Sequence, residues 1–247
     1  MDLTDYRNAP RERDRVADLM ALVPGGTRRA LDIGARDGYL SRALLRLVPA
    51  VTALDLEQPT IDVPGITCVR GNAAALDFED GAFDLVFCAE VLEHIPPQLL
   101  ERVCRELVRV SAGHLIIGVP HRQDLRMHCT TCQSCGRTNP PWGHVNSFTV
   151  NRLAELFKPC HVERVSFSGQ TKDTTNALSA ALMRFAGHPF GTYDQEEPCI
   201  HCGQSIGQPA ARSLPQRVAT RLAVQLQSAQ MALSSTRGNW LHVLLAK

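Results

Sequence analysis

The sequence predicts an α/β protein built on a parallel sheet, interrupted by cysteine-rich insertions. Three observations lead there. Through the first half of the chain, short apolar runs of strand length alternate with amphipathic stretches of helix length, the pattern of right-handed βαβ crossovers. The turn Asp32-Ile33-Gly34-Ala35-Arg36-Asp37-Gly38 follows the first such run, and strand, glycine turn, helix is the general way to bring backbone against a nucleotide. Two copies of C-x-x-C-G, Cys132–Gly136 and Cys199–Gly203, lie where the alternation fails.

Each element has a local cause. Asn8 or a neighbour can cap a helix beginning near Pro10, a favoured first-turn residue. Val16, Leu19, Met20 and Val23 recur at helical spacing until Pro24-Gly25-Gly26. Arg29–Ile33 reads as the first strand, and Leu40, Ala43, Leu44 and Leu47 as the next helix, ended by Pro49. Strands follow at Val51–Leu54, closing on Asp55, at Ile66–Val69, at Phe83–Cys88 and at Leu115–Val119, with a helix over Pro97–Val110 before the last of these. Residues 120–147 are rich in His, Cys, Pro and Gly and carry no apolar period. A helix at Thr149–Phe157 and a sixth strand at Val162–Phe167 resume the pattern. The next insertion holds a helix at 176–186, the second cysteine pair and a helix from Pro215 to Leu233, whose apolar face is Val218, Leu222, Leu226 and Ala229. Trp240–Ala246 closes the chain as a seventh strand.

The spacing of the turn selects among nucleotides. A dinucleotide fingerprint starting at Gly34 needs glycine at 36 and 39, where the chain has Arg36 and Tyr39. What remains is Asp32-x-Gly34-x-x-x-Gly38, with Asp55 seventeen residues beyond Gly38. Several further motifs follow in order: Ala53-Leu54-Asp55-Leu56, Gly71-Asn72-Ala73, Phe78 through Phe83-Asp84, Glu90-Val91-Leu92-Glu93-His94, and His144 through Thr149. Together with Leu31–Tyr39 they resemble the class I S-adenosylmethionine (SAM)-dependent methyltransferases, in the subgroup typified by ubiquinone-biosynthesis enzymes (methyltransferase type 11). The resemblance covers residues 28–167 and the last strand. It implies a Rossmann-like, seven-stranded methyltransferase sheet with six parallel strands and the last antiparallel, and SAM as cofactor. It assigns cofactor contacts to Asp32, Gly34, Gly38, Asp55, Leu56, Asn72 and Ala73, with Asp55 at the ribose and Asn72 at the adenine. Two positions depart from the pattern: Arg36 stands where the middle glycine is usual, and Asn72 where aspartate is usual. Arg36 either clashes with the methionine end of the cofactor or turns outward, leaving its backbone in contact. In similar enzymes a Glu-x-x-Glu-His group holds magnesium, which makes Glu90, Glu93 and His94 metal candidates. His144 is the candidate catalytic base for an O-methyl acceptor, its alternative being a packing residue at the start of the next helix.

In the two cysteine knuckles, a two-residue spacer lets both sulfurs face one site, and the glycine lets the backbone turn beneath it. Cys132, Cys135, Cys199 and Cys202 therefore form a candidate structural zinc site with a closed four-thiolate shell. His128, Cys129 and His201 lie close enough in sequence to join it. Cys68, Cys88, Cys104 and Cys160 fall on strand or helix faces and read as core thiols. Ligands of a parallel sheet sit beyond the strands' carboxyl ends; both knuckles leave from that edge, so one zinc would build a zinc-binding cap. The resulting division is 1–119 for the cofactor core, 120–147 for the first knuckle, 148–169 for core helix and strand six, 170–238 for the second knuckle and helical cap, and 239–247 for the final strand.

Composition narrows the partners. The nine cysteines, one of them odd, argue for a reducing cytoplasm and a metal rather than a disulfide framework. The charged N-terminal stretch has no apolar core of a signal peptide, and no run approaches the roughly 20 apolar residues of a membrane span. Net charge is +1, too small to argue for non-specific nucleic-acid binding. It is unevenly spread: residues 51–120 hold eleven acidic and four basic side chains, and residues 203–247 hold five basic and no acidic ones. Arg122, Arg126, Arg137, Arg212, Arg217 and Arg221 of the cap segments suit an anionic small-molecule acceptor, methylated on O or N. The competing readings are an RNA or protein methyltransferase that docks its substrate on the zinc cap, and a non-catalytic SAM-fold scaffold.

Overall fold

The computed structural model describes residues 7–195 and 197–247; residues 1–6 of the charged N-terminal stretch lie outside the described residues. The chain divides into two compact units. The sheet unit comprises residues up to 121, 148–169 and 238–247, and the cysteine unit residues 122–147 and 170–237.

The sheet unit is built on β1 (Arg29–Ile33), β2 (Ala50–Asp55), β3 (Ile66–Arg70), β4 (Phe83–Ala89), β5 (Ser111–Pro120), β8 (His161–Thr171) and β9 (Arg237–Ala246). They lie in the order β3-β2-β1-β4-β5-β9-β8. The pairs β1–β2, β2–β3, β1–β4 and β4–β5 are parallel. Strand β9 enters antiparallel beside β5, with Leu115 opposite Leu245 and Val119 opposite Leu241. The chain runs outward from β1 to β3 and then returns to β4, so the order reverses between β1 and β4. That is where an open α/β sheet offers a ligand its crevice.

Both faces of the sheet are covered, and the strand period of two sorts the side chains between them. On one face Leu31 and Ile33 of β1, Val86 and Cys88 of β4, Leu115, Ile117 and Val119 of β5, and Leu241, Val243 and Leu245 of β9 share a core with helices α3 (Pro97–Val110) and α4 (Val150–Leu156). On the other face Ala30, Leu85, Phe87, Ile116 and Leu244 pack with Leu19 and Leu22, from and just after α1 (Pro10–Met20), and with Leu44 of α2 (Tyr39–Leu44). Helix α3 turns Leu100, Val103, Cys104, Leu107 and Val110 inward. Helix α4 starts at Thr149, whose side-chain oxygen accepts from the Arg152 N–H at 3.1 Å.

The structure differs from the sequence reading in several places. Ala9, not Asn8, occupies the cap position of α1 and makes no side-chain bond there. Helix α2 stops before Leu47, which is left 52% exposed. Strand β5 begins four residues earlier than its apolar run, because pairing extends the polar start: Ser111 pairs with Phe83, and His114 with both Leu85 and Ala246.

The cysteine unit contains a two-stranded antiparallel ladder, β6 (Thr130–Thr131) with β7 (Thr138–Asn139), a 3-10 turn at Pro141–Gly143, and helices α5 (Ala177–Phe185) and α6 (Leu214–Leu233). The ladder has no counterpart in the sequence reading, since two-residue strands carry no period. Asn176 caps α5 by accepting from the Ser179 N–H at 2.8 Å, and Gln216 Oε1 accepts from the Ser213 N–H at the start of α6. The inner face of α6 is Ala219, Thr220 and Ala223. The apolar face read from its sequence is turned outward, Val218 being 47% and Leu222 48% exposed. Small residues win the interior because α5 and α6 approach closely, with the Ser179 hydroxyl donating to the Ala223 carbonyl at 2.7 Å. Among the described residues no helix is long and apolar enough to cross a membrane.

Candidate cofactor edge and cysteine cluster

The carboxyl ends of β1, β2 and β3 place the predicted cofactor residues along one edge of the sheet unit. The N–H groups of Gly34 and Ala35 donate to the Leu54 carbonyl at 2.8 and 3.1 Å, and Gly71 N–H donates to the Asp55 carbonyl at 2.8 Å. The three loops are therefore tied to each other at their roots. Gly34 and Gly38 have φ of 76° and 79°, the left-handed region that a side chain resists. A Cβ on Gly34 would stand 2.4 Å from the Val91 side chain, and one on Gly38 2.3 Å from Ile61. The absence of side chains thus lets the turn close against its own neighbours.

Asp55 is the pivot of this edge. Its Oδ2 accepts from the Arg36 N–H at 2.8 Å and its Oδ1 from the Leu56 N–H at 2.7 Å. Arg36 adopts φ 47°, which aims its amide at Asp55, while its side chain lies exposed. Arg36 thus contributes its backbone N–H to Asp55. Leu56 is 65% exposed beside the carboxylate, an apolar surface at the strand end. Asn72 is exposed, and its Oδ1 accepts from the Ala74 N–H at 2.9 Å, closing a turn over which Ala73 is buried.

Asp32 plays a different part from the rest. It is 2% exposed, and the Ser41 hydroxyl donates to its Oδ2 at 2.5 Å. Burial lifts its carboxyl to about 7, with the Ser41 bond opposing and the Asp55 charge adding. It braces the glycine turn against α2. Sequence reasoning missed Ser41, which sits on the turn's own helix nine residues on. It also missed Arg109, which clamps the loop after Asn72 by donating to the carbonyls of Leu76 and Phe78 at 2.8 and 2.7 Å and to Asp80 at 2.8 Å.

The Glu90–His94 segment forms a turn after β4. Glu90 Oε2 accepts from Trp240 Nε1 at 3.2 Å, and Arg15 stands 3.7 Å from Oε1. Glu93 is fully buried with neither carboxyl oxygen hydrogen-bonded, and burial, then the Glu90 charge, push its carboxyl well above the usual range. The Arg15 guanidinium beside Glu90 opposes a cation on that carboxylate.

In the cysteine unit His144 is 8% exposed and lies 5.9 Å from the Trp142 ring, and Gln123 Oε1 accepts from its Nδ1 at 2.6 Å. That bond places a hydrogen on Nδ1. Gln123 has no sequence signal. The four knuckle cysteines converge, their sulfurs all within 4.8 Å of one another. The Cys132–Cys202 and Cys135–Cys199 sulfurs are each 3.7 Å apart. A tetrahedron with metal–sulfur bonds of about 2.3 Å has edges of about 3.8 Å, so the spacing is that of a tetrathiolate zinc site.

The two knuckles share one backbone design. Gly136 N–H donates to the Cys132 carbonyl and Gly203 N–H to the Cys199 carbonyl; Cys132 N–H donates to Arg137 and Cys199 N–H to Gln204. N–H groups of Cys135 and Ser134 hold the Cys132 thiol below its ordinary range. Burial acts against ionising Cys199, yet the N–H groups of His201 and Cys202 bring it down to about 6, while burial and the neighbouring sulfurs push Cys135 and Cys202 up. Cys129 instead donates its thiol proton to the Leu125 carbonyl, and His201 Nε2 donates to the Thr138 carbonyl. Both lie outside the cluster of four, as does His128. Cys88, Cys104 and Cys160 are buried in the sheet unit and Cys68 half-buried.

Two outcomes follow for the edge. Left-handed backbone costs a side-chain-bearing residue about 1–2 kcal/mol, partly offset by the entropy glycine adds to the unfolded chain. Arg36→Gly should stabilise the protein by up to about 1 kcal/mol and Arg36→Val destabilise it by more than about 1 kcal/mol, read by urea unfolding. For Asp32, the native state holds a proton between about pH 4 and 7 that the unfolded chain has released, so stability falls as pH rises through that window. Asp32→Asn keeps the Ser41 bond and removes this contribution. Its stability should decline less steeply from pH 4 to 7 than that of the parent; an unchanged slope would show that Asp32 is ionised throughout.

Comparison with known proteins agrees with this geometry. Residues 31–117 match the family described as a methyltransferase domain. The ubiquinone biosynthesis O-methyltransferase of Xanthomonas campestris pv. campestris is 37% identical over 124 residues, covering 46% of this chain and 50% of that protein. The chain spans about half the length of the curated relatives it matches. Among solved structures, a putative methyltransferase from Bacillus halodurans aligns with TM-score 0.57 at 14% identity, covering 94% of this chain and 98% of the other. The N-methyltransferase NodS of Bradyrhizobium japonicum, solved with S-adenosyl-L-homocysteine, aligns with TM-score 0.52 at 20% identity over 69% of this chain and 86% of its own. The sheet order, the glycine turn and these matches together give the chain a Rossmann-like methyltransferase fold, with residues 31–117 matching a methyltransferase domain.

Proposed function

We propose that the chain transfers a methyl group from SAM to an oxygen or nitrogen of a small-molecule acceptor, and that Cys132, Cys135, Cys199 and Cys202 hold a structural zinc ion. The observation that carries the first part is the Asp55 carboxylate, held at the sheet's carboxyl edge by two backbone N–H groups beside the glycine turn. Each of its oxygens has a second lone pair, so it can accept from the two hydroxyls of a ribose. Leu56 supplies an apolar surface next to it for a base, and Asn72 a side chain with a donor and an acceptor. Gly34 and Gly38 keep the turn free of side chains. Asp32 and Ser41 position that turn from beneath.

When bound, SAM supplies a methyl group already activated by its sulfonium, so the acceptor's lone pair forms the new bond as the sulfur–carbon bond breaks and a neutral thioether leaves. The protein's share is alignment and exclusion of water, which carry most of the rate in such a reaction. A proton lost from the acceptor can pass to solvent. The Xanthomonas relative is an O-methyltransferase of ubiquinone biosynthesis, which supports an oxygen acceptor. The competing scaffold reading rests on Arg36, and S-adenosylhomocysteine binding discriminates between the two.

Calorimetry with S-adenosylhomocysteine should show one site per chain. Asp55→Ala should weaken it by about 1–3 kcal/mol, the loss typical of hydrogen bonds to a charged group; unchanged affinity would remove Asp55 from the site. Metal analysis should find one zinc per chain, lost when Cys132→Ser and Cys199→Ser are combined. Chelation should raise proteolytic sensitivity in residues 122–147 and 187–212 and leave the sheet unit's far-ultraviolet signal in place. Full zinc retention in the double variant would overturn the four-thiolate assignment.

A further inference from the structure

A cavity of about 580 Å³ lies wholly within the cysteine unit. The first knuckle contributes Gly136 and Arg137 to its lining, the end of α5 Arg184 and Phe185, the second knuckle His201, and α6 Gln216. No carboxylate lines it. Three other arginines of the unit are committed: Arg126 to Asp124 at 2.7 Å, Arg212 to the Thr220 hydroxyl at 2.9 Å, and Arg237 to the Asp173 carbonyl at 2.6 Å. Among the described residues Arg137 and Arg184 have no such side-chain partner.

Two uncompensated guanidinium groups facing one concavity are the arrangement that binds an oxyanion through paired N–H donors. Phe185 brings an aromatic ring to the same cavity and is 57% exposed. A Cβ on Gly136 would meet nothing within 4 Å, so the knuckle backbone itself is open to a ligand there. Arg137 directly follows a knuckle, and its charge also offsets that of four thiolates. Arg184 arrives on a separate helix, which that duty does not explain. The volume falls in the range of small-molecule sites.

We propose that this cavity binds a phosphomonoester carried on a flat, apolar group, with the phosphate held by Arg137 and Arg184 and the flat group stacked on Phe185. The dianion matches two guanidinium charges, and a ring matches the exposed phenylalanine.

The test is calorimetry of the full, zinc-loaded chain with phenyl phosphate, inorganic phosphate and phenol at low salt near pH 7. Phenyl phosphate should bind saturably at one site and phenol should not. Arg184→Gln, which lies off the knuckles, should weaken phenyl phosphate by about tenfold or more while zinc content stays at the parent level. Phe185→Ala should weaken phenyl phosphate and leave inorganic phosphate unchanged. Absence of phenyl phosphate binding, equal binding of phenol, or parent-level affinity in zinc-loaded Arg184→Gln would each overturn the proposal. Equal affinity for inorganic and phenyl phosphate would remove the stacking half of it.

Discussion

A parallel sheet must be covered on both faces, and nearly everything else about the sheet unit follows from that requirement. Hydrogen bonding occupies the strand edges and apolar side chains occupy both surfaces, so neither can present a ligand site. Chemistry is confined to the loops at the strand ends. The reversal of strand order between β1 and β4 parts two of those loops, and the glycine turn after β1 sits at that parting. The same confinement explains where the cysteine unit enters the chain. Its segments begin after His121 and after Gly169, beyond strands β5 and within the last turns of β8, where added residues leave the paired core intact.

Asp55 shows how backbone can stand in for sequence. Its two oxygens are filled by the amides of Arg36 and Leu56, so the position at 36 is asked for an N–H in the right direction and nothing more. Glycine provides that without strain; arginine provides it at φ 47°. The departure from the usual glycine therefore carries a conformational cost at this position. The neighbouring Asp32 shows the reverse case. Its residue type suggests a ligand contact, but burial and the Ser41 bond make it a brace.

What was legible in the sequence was what local period encodes. The helix at Pro97–Val110 was readable to the residue because Leu100, Val103, Cys104, Leu107 and Val110 recur at helical spacing and face one core. The strands were readable as short apolar runs. The order of motifs along the chain placed the candidate cofactor residues at the strands' carboxyl ends, since each follows a strand. The rest depends on partners distant in sequence. Nothing local tells that Ser111–His114 is held extended by Phe83, Leu85 and Ala246. Nothing local tells that α6 buries alanines 219 and 223 while its leucines stay outside; a helix's sequence shows that it has two faces, and packing chooses between them. The knuckles gave four ligands by spacing alone, yet the exclusion of Cys129 and His201 required seeing the Leu125 and Thr138 carbonyls that engage them.

The two units hold themselves together by different means. The sheet unit has a large apolar core on each face. In the cysteine unit, the buried cluster around the knuckles consists of Cys132, Cys199, Tyr193 and Ile206, and two of those four are themselves metal-ligand candidates. Its polar links run between the knuckle segments: Tyr193 Oη accepts from the Thr131 N–H and donates to the Gly187 carbonyl, and Asn139 Oδ1 accepts from the Ile200 N–H. Such links fix geometry but contribute little net stability each, and so small an apolar cluster cannot offset the entropy of ordering two long insertions. A cross-link between residues 135 and 199 would supply the missing term, because a metal that binds the folded state alone adds its binding free energy to folding. The proposed methyl transfer would draw its rate from alignment, so the sheet edge could stay generic while a metal-braced insertion varied in charge and cavity.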